Sequence, residues 1–421
     1  MPNQANVHQL IGHLFRHEAG KMAAVLTRFL GTENLDTAED LVQDTLLKAM
    51  EIWRFRGVPD NPAAWLYKVA RNNAIDWVRH HQSQNRVLSE YQNHLQESPV
   101  DVFAEEEIQD SVLRMMFACC HPAIPRESQI ALTLKTLAGL SISEIADAFL
   151  TSEETIAKRI YRAKEKFRQE NIRLDPPGIF ELSYRLDSVL HVLYLLFNEG
   201  YHSSHSDMHI REDLCAEAMR LTYLLAKHKA THLPKVDALL ALMCLQSSRF
   251  AARTGAFGEI VLLEDQDRTQ WSLALIQQGL GFLERASSGQ VLSEYHIEAS
   301  IASIHALAPR FQDTHWHKLV ELYQILYEQN PSPTVCLNKA IAIGYAQSPK
   351  DGIRELEKIK GLQENIHYLC ALGNFHLLQG NPLEAKRYLE KALEKAIAPR
   401  EVQLIQLKIR ACYSVRKNLT D

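Results

Sequence analysis

The 421-residue sequence lacks the features that would place it in a membrane or in a secretory pathway. No segment approaches the roughly 18 uninterrupted apolar residues that a membrane-spanning helix requires. The first residues, MPNQANVHQLIGHLF, show no basic stretch followed by an apolar core, as a signal peptide would. We therefore expect a soluble protein that works in the cytoplasm.

Cysteine is scarce and scattered. The chain has seven cysteines, and an odd number at irregular spacing does not suit a disulfide framework. Reduced thiols in the cytoplasm fit this usage better. The run ACCHP (118–122) has no partner pair that would complete a zinc site, so we expect these cysteines to pack within a helix.

Two clusters of polar residues could suggest a metal site or an active site. The segment YHSSHSDMHIRED holds His202, His205, Asp207 and His209, but their spacing matches no closed zinc site. We expect a solvated polar loop there and predict no metal and no cofactor.

The second cluster, LLEDQDRTQW, holds Glu264, Asp265, Asp267 and Arg268. Neither a nucleophile nor a phosphate-binding loop accompanies these charges, so we expect an ion-paired turn between apolar helices. We predict no catalytic residue and no enzymatic activity. An enzyme housed in the C-terminal half remains an alternative.

Alternating strand patterns are also missing, and nearly every segment repeats its apolar residues at the helical period. AEDLVQDTLLKAMEIW and PAAWLYKVARNNAIDWVRHH each place their large apolar residues on one stripe. The second of these stripes includes Trp65 and Trp77, which we interpret as core residues. The sequence therefore predicts an all-α fold.

Two changes of composition predict the domain limits. Residues 81–110 are polar and acidic with little periodicity, and NIRLDPPGIF (171–180) ends a helix with a Pro-Pro-Gly sequence. We predict an N-terminal helical domain over 1–82, an acidic linker over 83–108, a second domain over 109–172 and a helical extension over 173–421.

The extension contains a faint internal repeat. In YLCALGNFHLLQGNPLEAKRYLEKAL, small and apolar residues stand at tetratricopeptide spacing, and LNKAIAIGYAQSPKDGIRELEKI fits the same pattern more loosely. Small residues at these positions allow paired helices to pack closely. We expect an array of helical hairpins, although not a regular solenoid.

The segment SISEIADAFLTSEETIAKRIYRAK (141–164) predicts a helix-turn-helix. Ser152 is placed to cap the second helix, and Ile156 and Ile160 point inward. The cations Lys158, Arg159, Arg162, Lys164, Lys166 and Arg168 are then expected to face outward. A second helix of this kind enters the DNA major groove, where cations contact phosphates and the first turns contact bases. A solvated cationic face on an ordinary hairpin is the alternative.

Longer segments resemble a known family. GLSISEIADAFLTSEETIAKRIYRAKEKFR resembles region four, the promoter-recognising helix-turn-helix, of extracytoplasmic-function sigma factors. AEDLVQDTLLKAMEIW followed by NPAAWLYKVARNNAIDWVRH resembles region two of the same factors. VLYLLFNEGY, LLEDQDRTQW and SPTVCLNKAIAI resemble the subgroup with a long C-terminal tetratricopeptide-like extension. The resemblance covers nearly the whole chain.

The resemblance implies three sets of functional residues. The clamp coiled coil of the largest RNA polymerase subunit would be bound by Glu39, Asp40, Val42, Gln43, Asp44 and Leu47. The downstream promoter element would be melted by Phe55, Arg56, Asn61, Arg71, Asn72, Asn73, Asp76 and Arg79. The upstream element would be recognised by Thr155, Lys158, Arg159, Tyr161, Arg162 and Lys164.

The expected function is that of a dissociable initiation subunit, with core RNA polymerase and promoter DNA as partners and a possible protein partner on the C-terminal array. The net charge of −5 fits, because an acidic chain with one basic helix avoids stray DNA binding until polymerase holds it in place. The rival interpretation is an autonomous helix-turn-helix regulator whose extension senses a ligand.

Overall fold

The computed structural model describes residues 4–81, 104–149, 151–174, 179–201, 210–255 and 258–418. Within these ranges the chain is helical, and its only β feature is an isolated bridge between Thr254 and Ile260. The all-α prediction is thereby confirmed. The chain divides into two compact units, residues 1–199 with 216–231 and residues 200–215 with 232–421.

The first unit is built from the helices of the N-terminal half. They are α1 (Gln4–Leu30), α2 (Leu35–Arg56), α3 (Pro62–His81), α4 (Glu105–Cys119), α5 (Arg126–Thr136), α6 (Ile142–Ala148) and α7 (Glu153–Gln169). Most of α8 (Ile179–Tyr201) and α9 (Glu212–Lys227) also belongs to this unit.

Helix α1 is the centre of the first unit. It packs against α2, α3, α4 and α5, and its Met22 and Leu26 are fully buried. Gly20 makes the approach to α5 possible, because a Cβ at this position would lie 2.0 Å from the carbonyl oxygen of Leu137, just after α5. The predicted first and second domains therefore touch within this unit.

Most of the predicted acidic linker lies outside the described residues, as does the Pro-Pro-Gly sequence at 176–178. The described part differs from the expectation at one point, because residues 105–108 are the first turn of α4 rather than linker. The acidic side chains Glu105, Glu106 and Glu107 suit that turn, since they face the positive end of the helix dipole.

The second unit is an array of consecutive helices. They are α10 (Pro234–Ser247), α11 (Phe250–Arg253), α12 (Leu273–Ala286), α13 (Glu294–Leu307), α14 (Trp316–Gln329), α15 (Pro333–Ala346), α16 (Pro349–Glu357), α17 (Ile366–Leu378), α18 (Pro382–Lys395) and α19 (Pro399–Asn418). From α12 onward each helix packs against the next along the chain. This is the hairpin array that the repeat pattern predicts.

The small residues of the repeat lie where helices meet. A Cβ on Gly373 of α17 would come within 2.8 Å of the Leu389 side chain on α18. Ala385 and Ala392 of the same helix are fully buried. The spacing was therefore a reliable guide to the packing of this hairpin. None of the described helices is both long enough and apolar enough to cross a membrane.

Candidate nucleic-acid interface

Helices α6 and α7 form the predicted helix-turn-helix. The hydroxyl of Ser152 accepts a hydrogen bond from the backbone N–H of Thr155 at 3.2 Å, so the predicted N-cap is present. Ile156, Ile160, Ala163 and Phe167 are buried along one face of α7. The cationic side chains consequently lie on the other faces of this helix.

The first turns of α7 present an accessible surface. Lys158 and Arg162 are exposed, and Tyr161 is 64 % exposed. Among the described residues Lys158 pairs only with Glu154 of its own helix, with 2.6 Å between Nζ and Oε1. Arg162 pairs with no carboxylate among the described residues. Thr155 is half-buried against the cap, with its hydroxyl 2.9 Å from that of Ser152.

Lys164 does not face outward as the sequence analysis expects. Its side chain is only 13 % exposed, and its Nζ lies 2.6 Å from Asp36 Oδ1 and 2.8 Å from Glu39 Oε2 on α2. Arg168 donates to the other oxygen of Asp36 at 2.7 Å. Sequence periodicity could not reveal this, because the carboxylates that cover the lysine come from a helix more than a hundred residues earlier in the chain.

The electrostatics of this contact favour the charged form of each partner. Burial alone would raise the pKa of Asp36, but hydrogen bonds and charge from Lys164 and Arg168 hold it below its usual value. Burial alone would lower the pKa of Lys164, but Glu39 and Asp36 raise it. We name Asp36, Glu39, Lys164 and Arg168 the α2–α7 ion-pair cluster.

A second ion pair lies on the side of α7 that is opposite to the α2–α7 ion-pair cluster. Arg159 is half-buried and its Nη2 lies 2.5 Å from Glu127 Oε2, at the start of α5. This pair is formed inside the helix-turn-helix domain, so it fixes α7 against α5. Asp36 and Glu127 both fell outside the predicted sites, since nothing in their local sequence marks them as partners of α7.

The predicted polymerase-binding residues of α2 fall into three groups. Asp40, Gln43, Asp44 and Leu47 are exposed, and Leu47 is 58 % exposed despite its apolar side chain. Glu39 is taken up by the α2–α7 ion-pair cluster and also accepts a hydrogen bond from Thr136 at 3.2 Å. Val42 is only 4 % exposed, so it supports α2 from the core and does not face outward.

The predicted melting residues surround the end of α2 and one face of α3. Phe55 is 84 % exposed, and Arg56, Asn61, Asn72, Asp76 and Arg79 are exposed as well. Asn61 accepts a hydrogen bond from the backbone N–H of Ala64 at 3.1 Å and so helps to start α3. Asp76 and Arg79 form a loose ion pair at 3.8 Å.

Two of the predicted melting residues are partly buried between helices. Asn73 donates to the Thr45 hydroxyl at 3.1 Å and accepts from Lys48 at 2.8 Å, which ties α3 to α2. Arg71 is half-buried, and its buried Nε has no hydrogen-bond partner. Trp65, expected in the core, is half-buried, and its ring centroid lies 5.4 Å from that of the buried Trp53. Trp77, also expected in the core, is half-buried and stacks on His81 at 4.3 Å.

The remaining polar motifs have mixed outcomes. Cys119 and Cys120 are buried in helix packing, and burial raises the pKa of Cys120 to about 12, so this thiol is unreactive. The histidine segment at 202–209 lies outside the described residues. Among the described residues, no group of three metal-binding side chains occurs. In the charged turn at 264–268, Glu264 forms an ion pair with Lys408 at 3.6 Å. Arg268 instead donates to backbone carbonyls and has no ion pair with a described carboxylate.

Family models match the two regions that contain the predicted binding surfaces. The family Sigma-70 region 2 matches residues 14–84, and Sigma-70, region 4 matches residues 114–167. A family of unknown function (DUF6596) matches residues 185–287. No solved structure matches the chain.

Several relatives match as well. An uncharacterized protein of Rhizobium meliloti is 36 % identical over 394 residues, which cover 92 % of each chain. The ECF RNA polymerase sigma-E factor of Haemophilus influenzae is 30 % identical over 155 residues, 34 % of this chain and 78 % of that one. The ECF RNA polymerase sigma factor SigL of Mycobacterium tuberculosis is 31 % identical over 149 residues, 35 % of this chain and 82 % of that one.

The helix-turn-helix and the matched regions define a DNA-binding transcription initiation protein. The chain belongs to the extracytoplasmic-function group of the sigma-70 family of RNA polymerase sigma factors, with a long helical C-terminal extension. This family consists of transcription factors and not of catalysts.

Proposed function

We propose that this protein is a dissociable initiation subunit that gives core RNA polymerase access to a small set of promoters. Helix α2 docks on the clamp coiled coil of the largest polymerase subunit through Asp40, Gln43, Asp44 and Leu47, together with Glu39. The accessible part of α7 recognises the upstream promoter element. The end of α2 and the exposed face of α3 capture the bases of the downstream element when the duplex opens.

The observation that carries this proposal is the α2–α7 ion-pair cluster. It joins a residue of the proposed polymerase-binding surface, Glu39, to a residue of the proposed DNA-binding surface, Lys164. A polymerase that takes Glu39 as a contact removes one of the two carboxylates that hold Lys164 and so makes this lysine more available to a phosphate. Binding of the core enzyme and exposure of the DNA-binding helix are then coupled, as a subunit that works only within polymerase requires.

The net charge of the chain also supports a protein that binds promoter DNA only together with polymerase. Binding of cations to DNA releases counterions and strengthens association regardless of sequence. With a net charge of −5 and two cations of α7 held by carboxylates, the free protein has little such attraction. Promoter binding then depends on the contacts that polymerase contributes.

The surface around Phe55 suits single-stranded DNA. A phenylalanine that is 84 % exposed provides a ring on which an unpaired base can stack, and such stacking contributes about 1–3 kcal/mol per base. Exposed Arg56 and Arg79 supply positive charge for the strand, and Asn61 and Asn72 supply amides for base edges. Of the predicted set, Asn73 and Arg71 act from within the helix packing.

We propose that the C-terminal array regulates this subunit or contacts polymerase itself, with a protein surface as its partner. Helical-hairpin arrays hold extended concave surfaces that suit such partners. The domain limits of 1–82, 109–172 and 173–421 are part of this proposal.

Arg162 provides the experiment. It is exposed, it pairs with no described carboxylate, and it lies on the accessible side of α7. Arg162→Ala should reduce transcription from the promoters of this factor by about fivefold to a hundredfold, since a good base contact contributes about 1–3 kcal/mol. Binding to core polymerase, measured by fluorescence anisotropy, should remain unchanged.

Arg173→Ala is the matched control, because it removes an exposed arginine just outside the recognition helix. This variant should transcribe like the wild type. Unchanged promoter output of Arg162→Ala would show that the assigned face of α7 does not contact DNA.

A further inference from the structure

Two arginine side chains of the second unit converge on one tryptophan. Trp271 is only 4 % exposed and stands just before α12. The guanidinium carbon of Arg268 lies 4.6 Å from its ring centroid, and that of Arg249 lies 5.6 Å from it. Arg268 also donates to the carbonyl oxygens of His305 and Ala308 at 2.5 and 2.8 Å, which brings α13 to the same place.

The hydrogen-bond donors of this cluster are not satisfied. Nε of Arg249, Nη2 of Arg268 and Nε1 of Trp271 are buried and have no hydrogen-bond partner among the described residues. All three are groups that only donate, so the missing partner must be an acceptor. Buried polar atoms are normally paired in folded proteins, and three unpaired donors around one ring require an explanation.

The carboxylates near the cluster, Asp267 and Asp313, form hydrogen bonds with other residues. Asp267 accepts from the backbone N–H of Thr269 at 2.9 Å and caps the 3₁₀ turn Arg268–Gln270. Asp313 is held by Arg310 in two hydrogen bonds of 2.8 and 3.0 Å. Neither Arg249 nor Arg268 has an ion pair with a carboxylate of the described residues.

Positive charge consequently accumulates with little compensation among the described residues, since Asp313 acts on Arg268 without forming an ion pair with it. Arginine does not give up its proton in proteins, and a partly buried charge without a partner is costly. The neighbouring imidazole reflects this, since burial together with Arg249 and Arg268 lowers the pKa of His305 to about 3. His305 is therefore neutral at physiological pH and adds no charge, and its buried Nδ1 also has no partner.

We propose that Arg249, Arg268 and Trp271 form a binding site for the oxyanion group, a phosphate or a carboxylate, of a small molecule. Either group accepts several hydrogen bonds at once and supplies the negative charge that the cluster lacks. These three residues lie within the segment that matches a family of unknown function, so the site assigns a chemistry to that segment.

A cavity is found near this cluster, although Arg249, Arg268 and Trp271 do not themselves line it. The His305 ring contacts Trp316 at 5.7 Å, and Trp316 lines a cavity of about 570 Å³. Thr314 and Tyr345 line the same cavity, and the buried hydroxyl of Thr314 has no hydrogen-bond partner. The volume falls in the range of sites for small ligands, which are about 300–1,000 Å³.

Nuclear magnetic resonance of the indole N–H groups tests the site in the full-length protein. The chain has five tryptophans, and Trp271→Phe identifies the resonance of this one by its loss. Inorganic phosphate and acetate are titrated separately against chloride at constant ionic strength. We expect a saturable downfield shift of the Trp271 proton with one or both anions, and the anion that acts tells phosphate from carboxylate.

Trp53 is an internal control, because it is equally buried and its Nε1 also lacks a partner, but it lies in the first unit among aromatic rings. Its resonance should not move. Arg249→Lys and Arg268→Gln should each weaken binding about tenfold, since a hydrogen bond to a charged group contributes that much. An unaltered circular dichroism spectrum and an unaltered thermal unfolding midpoint show that the variants fold.

Three results would overturn the proposal. The first is the absence of a saturable shift at Trp271 with either anion. The second is an equal shift at Trp53, and the third is full affinity in both arginine variants. Because the titration needs neither polymerase nor DNA, it can fail while the proposed sigma function holds.

Discussion

Glu18 of α1 shows how a single carboxylate contributes to the first unit. It is only 4 % exposed, and it accepts hydrogen bonds from Lys21 at 3.2 Å and from the Tyr67 hydroxyl of α3, with the His17 ring nitrogen 3.0 Å away. Burial alone would raise the pKa of Glu18, but the contacts with His17, Tyr67 and Lys21 lower it to about 2. The charged form thus links α1 to α3.

This depressed pKa predicts a pH dependence of stability. The stabilisation is complete above pH 4.5, the ordinary glutamate value, and is lost as the pH falls toward 2. Between pH 6 and pH 3 we expect a loss of about 2 kcal/mol from this residue, and Glu18→Gln should remove that part of the dependence. Urea denaturation at the two pH values measures it.

Glu51→Gln is the control for this measurement, because Glu51 is an exposed glutamate of α2 with no ion pair among the described residues. It should keep the pH dependence of the wild type. If Glu18→Gln also kept it, the hydrogen bonds to Glu18 would not stabilise the fold.

Helices α2 and α7 are joined by ion pairs that involve residues of both proposed binding surfaces. Asp36 lies outside the predicted polymerase-binding and DNA-binding sets, yet it holds Lys164 and Arg168 at 2.6 and 2.7 Å. Removing its charge therefore takes away the only partner of Arg168 on α2 and one of the two carboxylates that hold Lys164, and it leaves both proposed surfaces intact.

Asp36→Asn should strengthen binding of the free protein to duplex DNA about threefold to tenfold, because partly exposed ion pairs contribute on the order of 1 kcal/mol. The slope of log K against log salt should steepen by about one unit, because Arg168 gains a phosphate while Glu39 still pairs with Lys164. Fluorescence anisotropy at several salt concentrations gives both quantities. Glu51→Gln changes the charge equally but releases no cation, so an equal effect there would rule out the ion-pair explanation.

The helices show which features the sequence could predict. The apolar face of α7, the Ser152 cap and the close packing at Gly373 follow from neighbours in the sequence, and all three are present. The positions of Lys164 and Arg268 were not predicted, because they depend on residues distant in the chain. Lys164 meets carboxylates from α2, and Arg268 bonds to carbonyls about 40 residues away.

At the scale of the whole molecule, the first unit extends beyond the predicted limit at residue 172. Arg185 of α8 is buried and donates to the carbonyl oxygen of Phe117 in α4 at 2.8 Å. The first unit accordingly includes residues up to 199 and residues 216–231. A fragment that ends at Asn171 loses these helices as well as the array.

Two truncations separate these contributions. We expect residues 1–171 to be soluble but less stable than residues 1–231, because the shorter fragment exposes the α4 surface that α8 covers. Both should transcribe less than the full-length protein if the array contacts polymerase. Thermal unfolding and transcription assays at equal concentration measure this. A 1–231 fragment with full core affinity and full output would make the array an independent module.

The central claim is that the protein initiates transcription only as a subunit of polymerase. The most direct measurement is in vitro transcription of genomic DNA by purified core RNA polymerase, with and without the full-length protein, followed by sequencing of transcript starts. We expect a small set of starts that appear only when both proteins are present, together with weak binding of the free protein to the same promoters. Tight, sequence-specific binding to DNA without polymerase, and no new transcript starts with it, would contradict the account.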